Sequence, residues 1–479
     1  MTTQIALPEQ GIEPGEDVMA RARARPWLLA WLAFAPVAVL RAGTLAEGDT
    51  FWEIRGGLLT LSHQAIPRVD SFTWTVHGKP WTLNSWGFDV VLAVAYRIGG
   101  LPAVAWASAA LAMMVAGMVL LLARCLGASP QVAGWLLLLG SPLLIEWLSA
   151  RPQLADYIAV PVLVMLLRRI ADGRDRVRSI MAVGILSVGW VNLHAASLLG
   201  VVIAGACAVL LLARRASRGN GWWCVAAGAA ALAGSLLNPY GLGVLAQAGQ
   251  VQSAASGLIV EWRAFDPASP MQLSMFITGL TALVLAARRG DAVLTGALGV
   301  PAAGSVVVIR FLPFLVLLGL PIIAGALSRT SHPAVLRYAR SRRVMFRRCG
   351  SAGMAAFAAL AALSLTHIGR PDPAIYPVPI VKDIPPRCKV FTSDLLGGFV
   401  ILQRPDAPVS LDSRFDLYGR QRVLADVRAL QGRGNPVSEL TGAGCVLVPP
   451  TSGLASQLHR DPAWQVRASG AAAILFVRR

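Results

Sequence analysis

Four ionisable side chains follow closely on an apolar run that is typical of a membrane span. Glu47, Asp49, Glu53 and Arg55 lie in LAEGDTFWEIRGG, directly after PWLLAWLAFAPVAVL. Ionisable groups at membrane depth cost a few kcal/mol and are functional candidates by default. A carboxylate placed there is suited to take a proton from a hydroxyl group or to bind a cation. The simpler alternative is that these acids are solvated loop residues.

Other unusual polar residues also lie at the outer ends of apolar runs. They are Trp52, Asp70 and Lys79 in the first loop, Arg151 in ARPQ, Asn192 and His194 in NLH, Asn238 in NPY, and Arg310 in VVVIRFLPFLVL. These residues also have structural alternatives. In them, Arg310 is an interfacial residue whose charged end reaches water, and His194 is the partner of a backbone carbonyl. The tryptophans are then an aromatic belt. The convergence of all these residues on one face of the membrane favours a functional site.

The composition is that of a polytopic helical membrane protein. Of the 479 residues, 55% are hydrophobic and 14% charged, whereas soluble domains have about 25% charged residues. The net charge of +18 would suggest a nucleic-acid partner in a soluble protein. Here the arginines form short clusters between apolar runs, and no basic stripe is interleaved with aromatic residues as a nucleic-acid groove requires. The sequence therefore indicates the lipid bilayer, and no nucleic acid, as a partner.

Apolar length and arginine clusters together predict about eleven membrane spans. The predicted spans are 26–42, 101–124, 130–148, 154–170, 179–195, 197–213, 221–237, 270–287, 291–309, 311–327 and 351–367. The clusters alternate in side, so the positive-inside rule places the N-terminus in the cytoplasm and the C-terminus outside. Residues 1–25 are predicted to be a disordered cytoplasmic tail. The long first loop, 43–100, is then outside and contains a surface helix over 84–100.

Residues 368–479 have the pattern of a small α/β domain, distinct from the membrane domain 26–367. The strand-like runs CKVFT, APVSL, CVLVP and AILFV alternate with helix-forming stretches such as RQRVLADVRALQ, which predicts a partly parallel sheet. The predicted topology makes this domain extracytoplasmic. Cys388 and Cys445 each lie at the start of a predicted strand. They either form a disulfide in an oxidising compartment or are two separate buried thiols.

The motifs in the outer segments resemble those of the GT-C superfamily of glycosyltransferases. Glu47 and Asp49 form Glu-x-Asp after the first span, similar to the modified DxD motif in the first outer loop of those enzymes. The passage GKPWTLNSWGFDVVLAVAYRIGG looks like the surface-helix segment of the aminoarabinose and protein O-mannosyl branches. The fuller set is similar to a bacterial group of GT-C-like membrane proteins: GDTFWEIRGG, IPRVDSFTWTVHGKPW, ARPQL, WVNLHAASLLG, LLNPYG, RFLPF and GGFV…LDSRFDLYG.

The resemblance implies an enzyme of the plasma (inner) membrane. It would move a sugar from a polyprenyl-phosphate donor to a cell-envelope glycan, lipid or protein acceptor. Asp49 is then the base, Glu47 orients it or binds a divalent cation (Mg or Mn) together with it, and Asp70 is the alternative second acid. The donor phosphate is expected on Arg310, Arg151, Lys79 and His194, and the sugar or acceptor on Asn192, Asn238 and Trp52. The turn 411–419 is expected to face the membrane cavity.

Two other classes of function stay open at this stage. A lipid or solute transporter predicts charged residues near the middle of spans and inverted repeats, and the sequence contains neither. A non-catalytic GT-C-like assembly protein would bind a partner through its outer domain, but it leaves the acids of the first loop unexplained. The sequence therefore favours a membrane glycosyltransferase.

Overall fold

Apolar helices make up most of the chain up to residue 365. The computed structural model describes residues 16–244, 260–329, 343–433 and 439–479. The helices of this part are α1 (Glu16–Leu32), α2 (Ala35–Ala42), α3 (Gly48–His63), α4 (Trp86–Cys125), α5 (Pro130–Leu144), α6 (Gln153–Ala171), α7 (Arg176–Leu193), α8 (Leu198–Leu212), α9 (Arg218–Leu236), α10 (Pro270–Arg288), α11 (Ala292–Val307), α12 (Leu312–Ser328) and α13 (Arg343–Leu365).

Every predicted span coincides with one or two of these helices. Among the described residues, four helices are long and apolar enough to cross a membrane by length and composition: Trp86–Cys125, Ala195–Leu212, Pro270–Arg288 and Ile309–Ser328. A mostly helical, membrane-type architecture is thus confirmed, while the number of eleven spans stays a prediction. The helices bury a common core, in which Tyr157 of α6 packs edge-on against Phe314 of α12 at 5.4 Å between ring centroids.

The N-terminal region differs from the prediction in two respects. Residues 16–25 belong to α1, because their alanines and arginines have high helix propensity; residues 1–15 of the predicted tail lie outside the described residues. The first predicted span is divided, since α1 ends at Leu32 and α2 begins at Ala35. Pro36 lies in the first turn of α2, where its missing N–H costs nothing.

The first outer loop contains a helix that we did not predict. In α3, Glu47 is the N-cap residue and Asp49 lies in the first turn, where a carboxylate interacts favourably with the helix dipole. Phe51 and Ile54 are fully buried on the same helix. Tertiary packing of this face stabilises α3 more than the propensity of its sequence does.

The predicted surface helix forms the first part of α4. The helix bends at Gly99 and Gly100, where Gly100 has a φ of 64° and a ψ of −155°, a conformation open essentially to glycine. The bend separates the surface segment from the predicted span at 101–124. The surface segment packs closely on α3, since a methyl group on Gly57 would lie 2.0 Å from the backbone oxygen of Asp89.

The first outer loop and the C-terminal domain pack around one shared core. Strand β1 (Thr44–Leu45) pairs in parallel with β2 (Arg370–Pro371). Phe51 lies 4.8 Å from the ring of Tyr376 and 5.1 Å from that of Phe399. The predicted boundary at residue 368 therefore separates two parts of the sequence whose residues share one hydrophobic core.

The C-terminal domain contains a mixed four-stranded sheet. Its strands are β3 (Val390–Thr392), β4 (Cys445–Val448), β5 (Trp464–Ser469) and β6 (Ile474–Arg478), and its helices are α14 (Val378–Val381), α15 (Asp394–Gln403), α16 (Phe415–Tyr418), α17 (Arg420–Leu430) and α18 (Gly453–Leu458). The strand order is β3-β4-β6-β5, with β3 and β4 parallel and the other pairs antiparallel. The small sheet domain is confirmed, although β5 was not predicted and the APVSL run forms only isolated bridges at Val409.

A disulfide ties the edge of this sheet. Cys388 and Cys445 are bonded, with Cα atoms 6.1 Å apart and a sequence separation of 57. In the chain-entropy account a loop of this length stabilises the fold by about 4 kcal/mol. The bond therefore holds β3 and β4 together even though a long stretch of chain separates them.

Candidate functional site

A cavity of about 520 Å³ lies where the first loop, several helix ends and the C-terminal domain meet. Its charged lining includes Asp49, Glu53, Arg151, His194, Glu261 and Arg310, which come from separate parts of the chain. Another part of the wall is apolar and includes Leu199, Val300 and Phe311. The cavity thus offers both charged groups and a surface suited to hydrocarbon.

Asp49 is held by partners from three segments. Nη2 of Arg151 lies 3.1 Å from its Oδ2, and the hydroxyl of Ser413 donates a hydrogen bond to its Oδ1. The indole N–H of Trp52 lies 3.4 Å from the same Oδ1 and 2.9 Å from Oγ of Ser413. These contacts fix the orientation of the carboxylate at the cavity wall, while 24% of the side chain stays exposed.

Arg151 and Arg310 share the carboxylate of Glu261. Arg151 donates to both oxygens of Glu261, the second at 3.4 Å, and Nη2 of Arg310 lies 3.4 Å from Oε2. Burial disfavours charge on both partners, yet Glu261, Asp49 and Glu47 raise the pKa of Arg151, and the two arginines lower that of Glu261. Both arginines also have an Nε donor without a partner among the described residues. They therefore have capacity for a further acceptor.

Glu47 extends this network away from the cavity. Its Oε1 accepts a hydrogen bond from Arg41 at 2.9 Å, and its Oε2 lies 4.0 Å from Arg151. Among the described residues, no group of three or more His, Cys, Asp or Glu side chains is arranged to hold a metal ion. As placed here, Glu47 and Asp49 direct their oxygens at arginine, serine and indole donors, so the pair does not fit the divalent-cation site that the resemblance implies.

His194 lies in the cavity wall with its ring oriented by a carboxylate. Its Nδ1 is 2.8 Å from Oδ2 of Asp156, and Asp156 also accepts a hydrogen bond from the indole of Trp190 at 2.6 Å. The sequence left two alternatives for His194, a role in the site or a hydrogen bond to a backbone carbonyl. The ring of His194 contacts the buried carboxylate of Asp156, one turn into α6, and not a backbone carbonyl.

Besides Glu47, four residues that the sequence assigned to catalysis or substrate binding do not line the cavity. Asp70 is buried and forms an ion pair with Arg414 at 2.8 Å. Lys79 donates to a backbone carbonyl of the C-terminal domain. The amides of Asn192 and Asn238 donate to backbone carbonyls near helix ends. All four side chains hold loops and helix ends in place.

The turn 411–419 reaches the cavity, as expected, through Ser413, Arg414 and Asp416. Arg414 is 3% exposed, lies 2.6 Å from Asp412, and stacks over the ring of Trp81 at 4.4 Å. The ion pair of Arg414 with Asp70 and its stacking on Trp81 join the turn to the first loop. They hold the turn where the Ser413 hydroxyl meets Asp49. Neither Ser413 nor Glu261 was singled out from the sequence, since their partners lie far away along the chain.

Comparison with solved structures shows that the chain has the fold of an archaeal oligosaccharyltransferase and of ArnT. The chain matches the archaeal oligosaccharyltransferase AglB from Archaeoglobus fulgidus, in complex with an inhibitory peptide and a dolichol-phosphate, with a TM-score of 0.63 and 12% identity over 90% of this chain and 70% of that one. It matches ArnT from Cupriavidus metallidurans bound to undecaprenyl phosphate with a TM-score of 0.59 and 14% identity, over 96% and 98% of the two chains. No protein-family model and no curated protein matches the sequence.

Proposed function

We propose that the protein transfers a sugar from a polyprenyl phosphate to the hydroxyl group of an extracytoplasmic acceptor. The observation that carries this proposal is the cavity in which an oriented carboxylate, Asp49, lies beside Arg151, which shares the Glu261 carboxylate with Arg310. The likeness to AglB and ArnT, whose structures contain dolichol-phosphate and undecaprenyl phosphate, supports a polyprenyl phosphate as the donor.

The reaction requires one proton transfer and one exchange of bonds at the sugar. Asp49 takes the proton of the acceptor hydroxyl, whose oxygen then bonds to the anomeric carbon of the sugar. The bond from that carbon to the phosphate oxygen breaks, and its electron pair leaves with the polyprenyl phosphate. Arg151 and Arg310 stabilise the negative charge that develops on the leaving phosphate.

The donor phosphate takes the place of the Glu261 carboxylate. Arginine forks bind phosphate oxygens in the same two-pronged manner as carboxylate oxygens, so Glu261 occupies the anion position while no donor is bound. When the phosphate binds Arg151, the ion pair between Arg151 and Asp49 weakens. The Asp49 carboxylate can then act as a base. The apolar wall at Leu199 and Phe311 then accommodates the start of the lipid tail.

Binding of undecaprenyl phosphate to the purified protein in nanodiscs tests this arrangement. We expect Arg310→Ala to weaken binding about 10-fold or more, because a hydrogen bond between charged groups contributes about 1.5–3 kcal/mol. Arg310→Lys keeps the charge but loses the fork, so its affinity should lie in between. Glu261→Gln should bind the lipid more tightly than wild type, since it removes the competing anion.

The control for these variants is Arg288→Ala. Arg288 is an exposed arginine at the C-terminal end of α10. It should leave the affinity for undecaprenyl phosphate unchanged. Equal affinity of Arg310→Ala and wild type would remove Arg310 from the phosphate site. Weaker binding by Glu261→Gln would show that this acid supports the donor and does not compete with it.

The arginine clusters and the disulfide support one orientation in the membrane. We propose that the N-terminus is cytoplasmic and that the C-terminal domain lies on the extracytoplasmic side of the inner membrane, in the compartment where disulfides form and persist. A C-terminal alkaline phosphatase fusion should therefore be active in intact cells, and a C-terminal fluorescent protein that folds only in the cytoplasm should be dark. The opposite result would place the cavity on the wrong side for an extracytoplasmic acceptor.

A further inference from the structure

Two carboxyl groups beside the cavity lack the partners that buried acids require. Glu53 is 3% exposed and Asp89 is 0% exposed. Oε2 of Glu53 and Oδ2 of Asp89 have no hydrogen-bond partner in the described part of the chain, whereas Oδ1 of Asp89 accepts one from Ser85 at 2.8 Å. An unpaired buried carboxylate is costly, so an ionised pair would not be kept here without a compensating interaction.

The two acids lie against the same face of α3. Gly56 and Gly57 follow Glu53 by three and four residues, which places all three positions on one side of the helix. A methyl group on Gly56 would lie 3.2 Å from Oδ2 of Asp89. These glycines therefore let the Asp89 carboxyl approach the helix turn next to Glu53, and two like charges at such a site do not both ionise.

The charges around Glu53 act in both directions. Burial, followed by the carboxylates of Asp89 and Asp49, raises the pKa of Glu53 well above its ordinary value. The Glu47 carboxylate acts in the same direction, and the guanidinium of Arg151 opposes them without cancelling their effect. The surroundings of Glu53, a cavity-lining acid, therefore favour its protonated form.

We propose that Glu53 and Asp89 share one proton and, with the amides of Asn84 and Gln153, form a subsite that binds hydroxyl groups of the transferred sugar. Glu53, Asn84 and Gln153 all line the cavity, and Oε1 of Gln153 has no partner among the described residues. Protonated carboxyl and amide groups both donate and accept hydrogen bonds, which suits neighbouring hydroxyl groups. Glu53 lies one helical turn from Asp49, so the subsite holds the sugar beside the base. This inference rests on the proposed function.

Lipid binding to the full-length protein tests the subsite. Undecaprenyl phosphate is compared with undecaprenyl phosphate bearing glucose, mannose, galactose or arabinose. We expect at least one sugar to increase the affinity of the wild type, and Glu53→Gln to reduce that increase about 10-fold while plain undecaprenyl phosphate binds as before. Asp175→Asn makes the same kind of change at an exposed ion pair with Arg169 and should leave the increase intact.

Infrared difference spectra of the same proteins test the shared proton without any transfer assay. We expect a protonated-carboxyl band in the wild type at neutral pH that Glu53→Gln removes. The proposal is overturned if that band is missing from the difference spectrum, if no sugar increases wild-type affinity, or if the increase survives in both Glu53→Gln and Asp89→Asn. Failure of the wild type to bind even plain undecaprenyl phosphate would reject the proposed function as a whole.

Discussion

Replacing Asp49 with asparagine should abolish sugar transfer while leaving protein level and donor binding nearly unchanged. The substitution keeps the shape of the side chain and its contact with Ser413, but it removes the group that accepts the proton. Loss of a general base alone lowers the rate about 10²–10⁴-fold. The measurement is lipid-linked product analysis of membranes that contain each variant at matched level, with the sugar on the donor radiolabelled.

Two further acids serve as comparisons for Asp49. Glu47→Gln should reduce transfer less, because Glu47 contacts Arg41 and lies outside the cavity lining. Asp70→Asn should act through folding, since Asp70 is buried in an ion pair with Arg414. Near-normal transfer by Asp49→Asn, with Asp70→Asn inactive at full protein level, would instead assign the base to Asp70.

Arg151→Gln should cause the second large loss, in both activity and stability. Arg151 is the cation between Asp49, Glu47 and Glu261, so its removal leaves these three neighbouring carboxylates with one cation fewer, although Glu47 keeps Arg41 and Glu261 keeps Arg310. The ion pairs are partly buried, so breaking them should cost less than the about 3–5 kcal/mol of a fully buried pair. We expect a lower midpoint of thermal unfolding. The transfer rate should fall at least about 100-fold below wild type, because the donor phosphate also loses the two-pronged contact with the Arg151 guanidinium group.

The double variant Arg151→Gln/Glu261→Gln separates the two effects. Removing one of the stranded carboxylates should recover part of the thermal stability, but transfer should not recover, since the phosphate contact is still missing. Recovery of both properties would show that Arg151 serves only to neutralise Glu261. Wild-type turnover in the single variant would contradict the proposed role of Arg151 altogether.

Local patterns in the sequence were sufficient for the helices of the predicted spans and for part of the site. Apolar length located the helices, and Gly99 and Gly100 marked the end of the surface segment before the span at 101–124. Arg151 and Arg310 stood out because arginine is costly between apolar runs. The structure places both in the lining of the cavity, with Arg151 next to Asp49.

The remaining features depend on contacts between distant segments, which no local pattern contains. Arg151 meets Glu261 across 110 residues, and Ser413 meets Asp49 across 364. Helix α3 was missed because paired glycines lower its intrinsic propensity, while its burial comes from the surface segment of α4 and from the C-terminal domain. Asn192 was assigned to the sugar as a polar residue at a helix end, but helix ends leave backbone carbonyls without partners, and its amide donates to one of them, at Leu237, as well as to the carbonyl of Val188.

The hydrogen bond from Ser413 to Asp49 also makes catalysis dependent on the order of biosynthesis. The acid emerges early from the ribosome, whereas the hydroxyl that orients it, and the rings of Tyr376 and Phe399 that cover Phe51, emerge late. In the proposed topology those residues cross the membrane late, and until then part of the apolar face of α3 is uncovered and Asp49 lacks its Ser413 contact. We therefore expect a partly inserted chain to be inactive and exposed to quality control, with activity beginning only when insertion is nearly complete.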